Sequence, residues 1–412
     1  MILEVQLRNI GPFRNQVVFK MEPTEYGGKA NNLITDATMK PVLKVGVIYG
    51  ANASGKTNFI LPLYQLREEL RNPKAWMTGT GLPRLYNPFM LDSETKNAPS
   101  EICVRFSIGE MELKYVVVFN EIEYLKEVLY NSEQVVFHRE GQNKSLHSVV
   151  FSQQEEGSQT PRFKTVERDR LVLSQYLSFP EENDLLCKTA KYLAGLQIAN
   201  GYNHQMREIL WEEVKHWLSV DRKRRGRQLA RFLNAVDINL EGFAFPLKDD
   251  APFSKIKFRH RMFKGAFPTD LYTEFPIEKE SQGTKWLLLL GAKVIASLED
   301  GSPLFVDELD ACYHAQVTQF IIEMYKDSRL NSKGAQLIMT THNVYLMDEH
   351  KMRSDQIWFV EKDEHGIGDL YSLSDFDGIT ENTPFADWYL ARRFGGTPKL
   401  GSVSGLFDNT DE

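Results

Sequence analysis

Apolar and polar positions alternate at the start of the chain. Ile2, Val5 and Leu7 are the inward candidates of a strand over residues 2–7, and Val17-Val18-Phe19 reads as a second strand beyond the Gly11-Pro12 turn. The apolar run from Val42 to Ile48 does not alternate, which predicts a strand buried on both faces. After it, Phe59, Leu63, Leu66 and Leu70 recur at helical spacing, and Pro62 is expected to kink that helix. Residues 81–140 are rich in β-branched and aromatic side chains between turn signals and predict an antiparallel meander, whereas the polar stretch 141–160 reads as a surface loop. From 181 to 236 the period is helical, with Trp211, Val214, Trp217 and Leu218 on one face. Near residue 255 alternation returns, Ile256, Phe258 and Met262 facing inward and Lys257, Arg259 and Arg261 outward. A helix over Trp286–Leu298 and strands over Pro303–Val306 and Gln336–Thr341 complete the pattern.

Composition narrows this picture without changing it. The chain has 412 residues, of which 42% are hydrophobic, enough to bury a sizeable core in about two structural units. A net charge of −7 argues against a chain-wide attraction to nucleic acid or anionic membrane, so any such contact must come from a local patch. The candidate is Arg222-Lys223-Arg224-Arg225-Gly226-Arg227, read either as a solvated helix face or as a DNA or RNA contact. Cys103, Cys187 and Cys312 are too scattered for a metal knuckle and too few for a disulfide framework, which fits a reducing cytoplasm. Glu4 and Arg8 interrupt the first apolar stretch, so no signal peptide is read there, and Lys293 interrupts the longest one, so no membrane partner is expected.

The candidate chemistry begins at Gly50-Ala51-Asn52-Ala53-Ser54-Gly55-Lys56-Thr57, a complete G-x-x-x-x-G-K-[ST] loop between a predicted strand and a predicted helix. The glycines let backbone N–H groups approach the phosphates of a nucleotide and the helix N-terminus favours their charge. Lys56 is expected to reach the β- and γ-phosphates and Thr57 to ligand Mg²⁺; Gly50, Asn52, Ala53, Ser54, Gly55 and Asn58 are the other cofactor-binding candidates. Pro303-Leu304-Phe305-Val306-Asp307-Glu308 is an apolar strand ending in two carboxylates. Asp307 is suited to hold Mg²⁺ and Glu308 to deprotonate an attacking water. A further strand ends at His342, a candidate γ-phosphate sensor. Ser281 and Gly283 stand immediately before or within the start of an apolar helix, where N–H groups can meet an anion.

Phosphate loop, Ser-x-Gly before a helix, Asp-Glu after a strand and then a histidine is an order that resembles ATPases of the ATP-binding-cassette type, in particular the heads of the SMC, Rad50 and RecF group. More narrowly, the chain resembles the RloA and abortive-infection subfamily. The residues that carry this are Leu7-Arg8-Asn9-Ile10-Gly11-Pro12-Phe13, Asn87-Pro88-Phe89, Glu280-Ser281-Gln282-Gly283-Thr284, Asp307-Glu308-Leu309-Asp310 with Tyr313-His314, and Tyr389 to Pro398. The chain departs from the pattern at Gln282, where transporters carry glycine, and at Cys312-Tyr313-His314, where serine-leucine-histidine is commoner; it marks no Q-loop glutamine.

The resemblance implies an α/β fold, a P-loop ABC-type ATPase head with an N-terminal antiparallel β-layer and a helical insertion between Walker A and the signature motif. The segments expected are an N-terminal lobe (1–180), the insertion (181–236) and a C-terminal lobe (237–412). It also implies ATP and Mg²⁺ as cofactors and a homodimer, or higher homo-oligomer, whose heads sandwich nucleotide. Ser281 and Gly283 would then complete the partner's site, and Asp310 of the D-loop would lie beside the nucleotide. The implied role is a regulatory ATPase of a bacterial anti-phage system controlling a separate toxic effector; a RecF-like DNA-maintenance ATPase is the alternative.

Overall fold

The computed structural model describes residues 1–25, 28–73, 85–141, 145–152, 163–179, 184–200, 204–236, 240–244, 255–310, 314–399 and 401. In chain order, β1 (Ile2–Arg8) and β2 (Val17–Lys20) pair with each other, β3 (Leu33–Thr35) and β4 (Pro41–Leu43) form a small ribbon, and β5 (Val45–Gly50) leads into α1 (Lys56–Arg71). Next come β6 (Ser100–Ile108), β7 (Met111–Phe119), β8 (Tyr124–Asn131), β9 (Gln134–Glu140), β10 (Leu146–Phe151) and β11 (Thr165–Glu167). These and the first two strands make one antiparallel sheet in the order β11-β10-β9-β8-β7-β6-β1-β2. Two helices follow, α2 (Val172–Tyr176) and α3 (Leu185–Ala194), then β12 (Gln197–Asn200), α4 (His204–Val220) and α5 (Arg222–Val236). The strands β13 (Gly242–Ala244), β14 (Lys257–Lys264) and β15 (Phe267–Pro276) form a separate small sheet. The chain continues with α6 (Gln282–Asp300), β16 (Leu304–Asp307), α7 (Ala315–Lys326), β17 (Leu337–Thr340), β18 (Ile357–Lys362), β19 (Gly368–Ser372) and α8 (Phe385–Leu390).

The second large sheet runs β12-β16-β17-β5-β18-β19 and is parallel except at β19. All six residues of β5 are buried, as a parallel strand covered on both faces requires. Its side chains alternate between two cores. Ile48 joins Ile198, Phe305, Ile338 and Trp358 in the core shared with the antiparallel sheet and α1, while Val45, Val47 and Tyr49 join Leu337, Met339 and the helices α4, α5 and α6 in the other. The expected α/β head with an antiparallel layer is therefore the fold observed. Both cores draw on residues from all three expected segments.

Several local expectations are corrected. The run Val42–Ile48 is two strands in different sheets, because the backbone changes partners at Lys44: Leu43 donates its N–H to Met21, Lys44 donates to Asn32, and Leu337 donates to the Lys44 carbonyl. Within 141–160, residues 146–151 form β10, whose inward His147 and Val149 supply the buried face that the polar residues between them mask in the sequence; 142–144 and 153–160 lie outside the described residues. The meander starts at Ser100 rather than near 81, and 81–84 are not described. Met262 is exposed because the β14–β15 register shifts between Arg261 and Phe263. Pro62, where a kink is expected, lies buried inside α1, which continues on both sides of it.

The largest correction concerns 181–236. This segment is not wholly helical: it contributes β12, which pairs in parallel with β16, and its α4 supplies Glu213 to a cluster of cations. One Glu213 oxygen accepts from Arg67 at 2.8 Å and Arg71 at 2.9 Å, both on α1, and the other accepts from Lys293 on α6. Lys293 also donates to Gln197 of β12 at 3.0 Å. These cations, Lys293 foremost, hold the Glu213 carboxyl down to about 2 against the opposing effect of burial.

Replacing Glu213 by Ala leaves Lys293 buried without its carboxylate and Arg67 with Glu68 alone, and is expected to lower the unfolding free energy by about 3–5 kcal/mol in urea titrations. Because the folded-state pKa lies below that of an unfolded glutamate, this stabilisation is complete above about pH 5 and fades as pH falls through about 2. A parent and a Glu213→Gln variant whose difference in urea midpoint stays constant from pH 6 to about pH 2.5 would contradict this.

Candidate functional site

The site forms where β5, β16 and β17, adjacent in the parallel sheet, reach their C-terminal ends. β5 ends at Gly50, and there a side chain has no room: a Cβ would come within 2.5 Å of both the Val360 carbonyl oxygen and Ser54 Oγ. The loop then turns through Ala53 and Gly55 at φ of +60° and +122° and enters α1 at Lys56. Asn52 and Ala53 stand exposed at its crest, whereas Ser54, Gly55 and Lys56 are buried. The Lys56 ammonium donates to the carbonyls of Gly50 at 2.9 Å and Ala51 at 3.0 Å. Burial pushes its pKa down, and Glu308, Asp307 and Asp310 pull it back up.

Asp307, at the end of β16, has both oxygens engaged. Thr340 Oγ1 donates to Oδ1 at 2.7 Å, and Asn200, closing β12, donates to Oδ2 at 3.2 Å. Glu308 follows with a left-handed backbone, φ +50°, which a non-glycine residue adopts only at a cost. Its carboxyl is pushed up by burial and by the neighbouring Asp307 charge. His342, just beyond β17, is pushed down by burial and by the Lys56 charge, which favours the neutral imidazole. Lys56, Asp307, Glu308, Asp310 and His342 thus share one electrostatic neighbourhood although 50 to 342 span most of the chain.

The loop fits a nucleotide triphosphate. Gly50 and Gly55 let the loop pack against Val360 and Pro12 where a Cβ would clash, Ser54 Oγ is buried without a protein partner, and Lys56 is held among carbonyls a phosphate can replace. Mg²⁺ would fall to Thr57 and Asp307. No group of three or more His, Cys, Asp or Glu suited to a metal exists among the described residues, so the ion would depend on phosphate oxygens for its remaining ligands.

Other expected residues have different placements. Asn58 lies against Gly11, whose Cβ would come within 2.6 Å of Asn58 Oδ1, so it belongs to the junction with the N-terminal layer. Ser281 is the N-cap of α6: its Oγ accepts the Thr284 N–H at 3.0 Å and bonds the Thr284 hydroxyl at 2.8 Å. Gly283 is buried in the first turn, and Gln282 accepts from Arg207 of α4. Ala311, Cys312 and Tyr313 of the D-loop lie outside the described residues, and His314 caps α7. In the basic run, Arg224 and Arg225 face Glu299 of α6, and Arg225 also stacks over Trp217.

The flanking motifs prove to be contacts. Gly11 donates its N–H to the Asn87 carbonyl and Asn9 Oδ1 accepts from Phe89, which joins the first motif to Asn87-Pro88-Phe89. Tyr389 packs on Tyr49 of β5, its ring centroid 6.0 Å away, and donates to the Gly396 carbonyl. Asn200 and Thr340 are the residues that sequence reasoning missed. The sign for Asn200 was a polar residue closing the short apolar run Ile198-Ala199 before Gly201; Thr340 carried only its hydroxyl inside an apolar strand.

Residues 46–348 match the model of the family described as "AAA domain, putative AbiEii toxin, Type IV TA system". Among proteins with curated descriptions, none matches the chain. Solved structures that it resembles include the SMC head domain from Thermotoga maritima, 14% identical with a TM-score of 0.43 over 90% of this chain and 98% of that one. An SMC head bound to the C-terminal winged-helix domain of ScpA is 15% identical with a TM-score of 0.42 over 90% and 97%. No helix among the described residues is long and apolar enough to cross a membrane.

Gly50→Ala drives a Cβ against a backbone carbonyl and is expected to weaken binding of a fluorescent ATP analogue at least about tenfold, or about 1.4 kcal/mol, in a folded protein. Unchanged affinity in that titration would mean the loop does not hold phosphate.

Proposed function

The chain belongs to this family of AAA domains, described as putative AbiEii toxins of type IV toxin–antitoxin systems, and from that membership we propose that it is an ATP-binding and ATP-hydrolysing switch. The observation that carries the proposal is the meeting of Lys56, Asp307 and Glu308 at one end of the parallel sheet, with Glu308 made more basic by burial beside Asp307. Lys56 binds the β- and γ-phosphates, Thr57 and Asp307 hold Mg²⁺, and Glu308 takes the proton of the attacking water. Mg²⁺, when bound by Thr57 and Asp307, would neutralise charge developing on the phosphates. His342, kept neutral, donates a hydrogen bond to the γ-phosphate.

Two heads close on two nucleotides in this reading. Ser281 is exposed at the N-cap of α6, where the helix dipole favours an anion, so a second copy of the chain brings it to the γ-phosphate. ATP then closes the dimer and hydrolysis opens it. Within a bacterial cytoplasm that cycle would sense phage infection and control a separate toxic effector, in keeping with the toxin–antitoxin vocabulary of the family description.

Lys56→Ala is expected to abolish nucleotide binding or turnover, and full ATPase activity in the purified variant would remove the site assignment. Glu308→Gln should retain ATP and lengthen the life of the dimer, read by light scattering after size exclusion. Turnover within about threefold of the parent, roughly 0.7 kcal/mol, would exclude Glu308 as the base.

The dimer is tested by mixing. Ser281→Arg should block the sandwich by bulk and charge, and a heterodimer with Lys56→Ala has one site bearing both defects and one bearing neither. Hydrolysis should partly return although each parent variant is inactive. No recovery despite demonstrated subunit exchange would place Ser281 outside the partner's site.

A further inference from the structure

β17 is a buried strand in which Leu337, Ile338 and Met339 are all apolar, and the default at its last position is another apolar side chain. Thr340 stands there fully buried, so its hydroxyl must be satisfied by protein. It is satisfied twice. Oγ1 donates to Asp307 Oδ1 at 2.7 Å and accepts the Glu308 N–H at 2.7 Å, while the Thr340 carbonyl accepts from Leu309 at 3.1 Å. One residue on a neighbouring strand therefore holds three successive residues, Asp307, Glu308 and Leu309.

The middle one has the left-handed backbone, φ +50°, which needs support from its surroundings. The Glu308 N–H bond to Thr340 supplies that support, and the bond from the same hydroxyl to Oδ1 fixes the Asp307 rotamer. Asn200 restrains the other Asp307 oxygen from β12, so the carboxylate is held from two strands before any ion arrives. Preorganised oxygens of this kind are what metal sites require.

We propose that Thr340 is a positioning residue of the hydrolytic centre, its single hydroxyl aligning the metal-side carboxylate of Asp307 and the backbone that carries Glu308. This rests on the roles given to Asp307 and Glu308 above. Thr340 is fully buried and acts through the two acidic residues it bonds.

Thr340→Val keeps the β-branched shape and removes only the hydroxyl, while Thr340→Ser keeps the hydroxyl and removes only a methyl. Each variant is titrated with a fluorescent ATP analogue in EDTA and at increasing Mg²⁺, and its ATP turnover is measured. For Thr340→Val, affinity in EDTA should stay within about twofold of the parent, the half-saturating Mg²⁺ concentration should rise at least about fivefold, and kcat should fall at least about tenfold. Thr340→Ser should return both to within about threefold of the parent. If Val does not fold, Thr340→Ala against Thr340→Ser makes the same comparison.

Parental Mg²⁺ dependence and turnover in Thr340→Val overturn the proposal, as does a Ser variant as impaired as Val. Both leave the ATPase reading intact provided Lys56→Ala still loses the nucleotide. A parent with no Mg²⁺-dependent nucleotide signal overturns the proposal and that reading together.

Discussion

β5 is buried along its whole length, and its last residue must still open onto a phosphate-binding loop. Two cores are the consequence, one on each face of the parallel sheet. The antiparallel layer covers the first face so closely that Phe19 lies where a side chain on Gly46 would go, 2.7 Å from its Cβ position. The second face is covered by α4, α5, α6 and the C-terminal segment through Tyr389. With both faces closed, only the strand ends remain accessible, and the loop after Gly50, the acidic pair after Val306 and His342 after Thr341 all emerge there. Placing ligands beyond the carboxyl ends of strands is the general solution of open α/β sheets.

The Glu213 cluster gives this arrangement its rigidity. Its cations come from the helix that starts at the phosphate loop, α1, and from the helix that starts at Ser281, α6, and its carboxylate comes from α4. The Glu213 carboxylate and the buried cations Arg67 and Lys293 tolerate little displacement, because separating them exposes charge to a medium that solvates it poorly. The segment 181–236 is consequently packed into both cores. It adds an edge strand, the carboxylate of the ion cluster and, through Asn200, a hydrogen-bond donor to Asp307.

Legibility in the sequence followed how local each interaction is. The glycine loop before α1, the acidic pair closing β16 and the helix cap at Ser281 are runs of a few residues whose local structure depends on neighbours in the chain, and their places were readable. The register of β14 was not, since a bulge after Arg261 turns Met262 outward without any change in residue type that marks it. Nor was β10, whose inward residues include His147, which a count of apolar positions passes over. The split at Lys44 escaped because the apolar character of Val42 to Ile48 is continuous while its hydrogen-bond partners are not.

By itself the sequence pointed to a kind of chemistry: a loop suited to hold a nucleotide by backbone N–H groups and one lysine, with a paired acid suited to act on it. Backbone recognition of phosphate needs glycines and a lysine at fixed short spacing, so the information is contiguous. Only the tertiary structure decided which side chains surround that chemistry. Asn200 reaches Asp307 across 107 residues, Thr340 across 33, and Glu213 meets Arg67 across 146. Such contacts depend on strand order and helix packing, and a polar residue in an apolar stretch does not reveal its partner until the sheet is assembled.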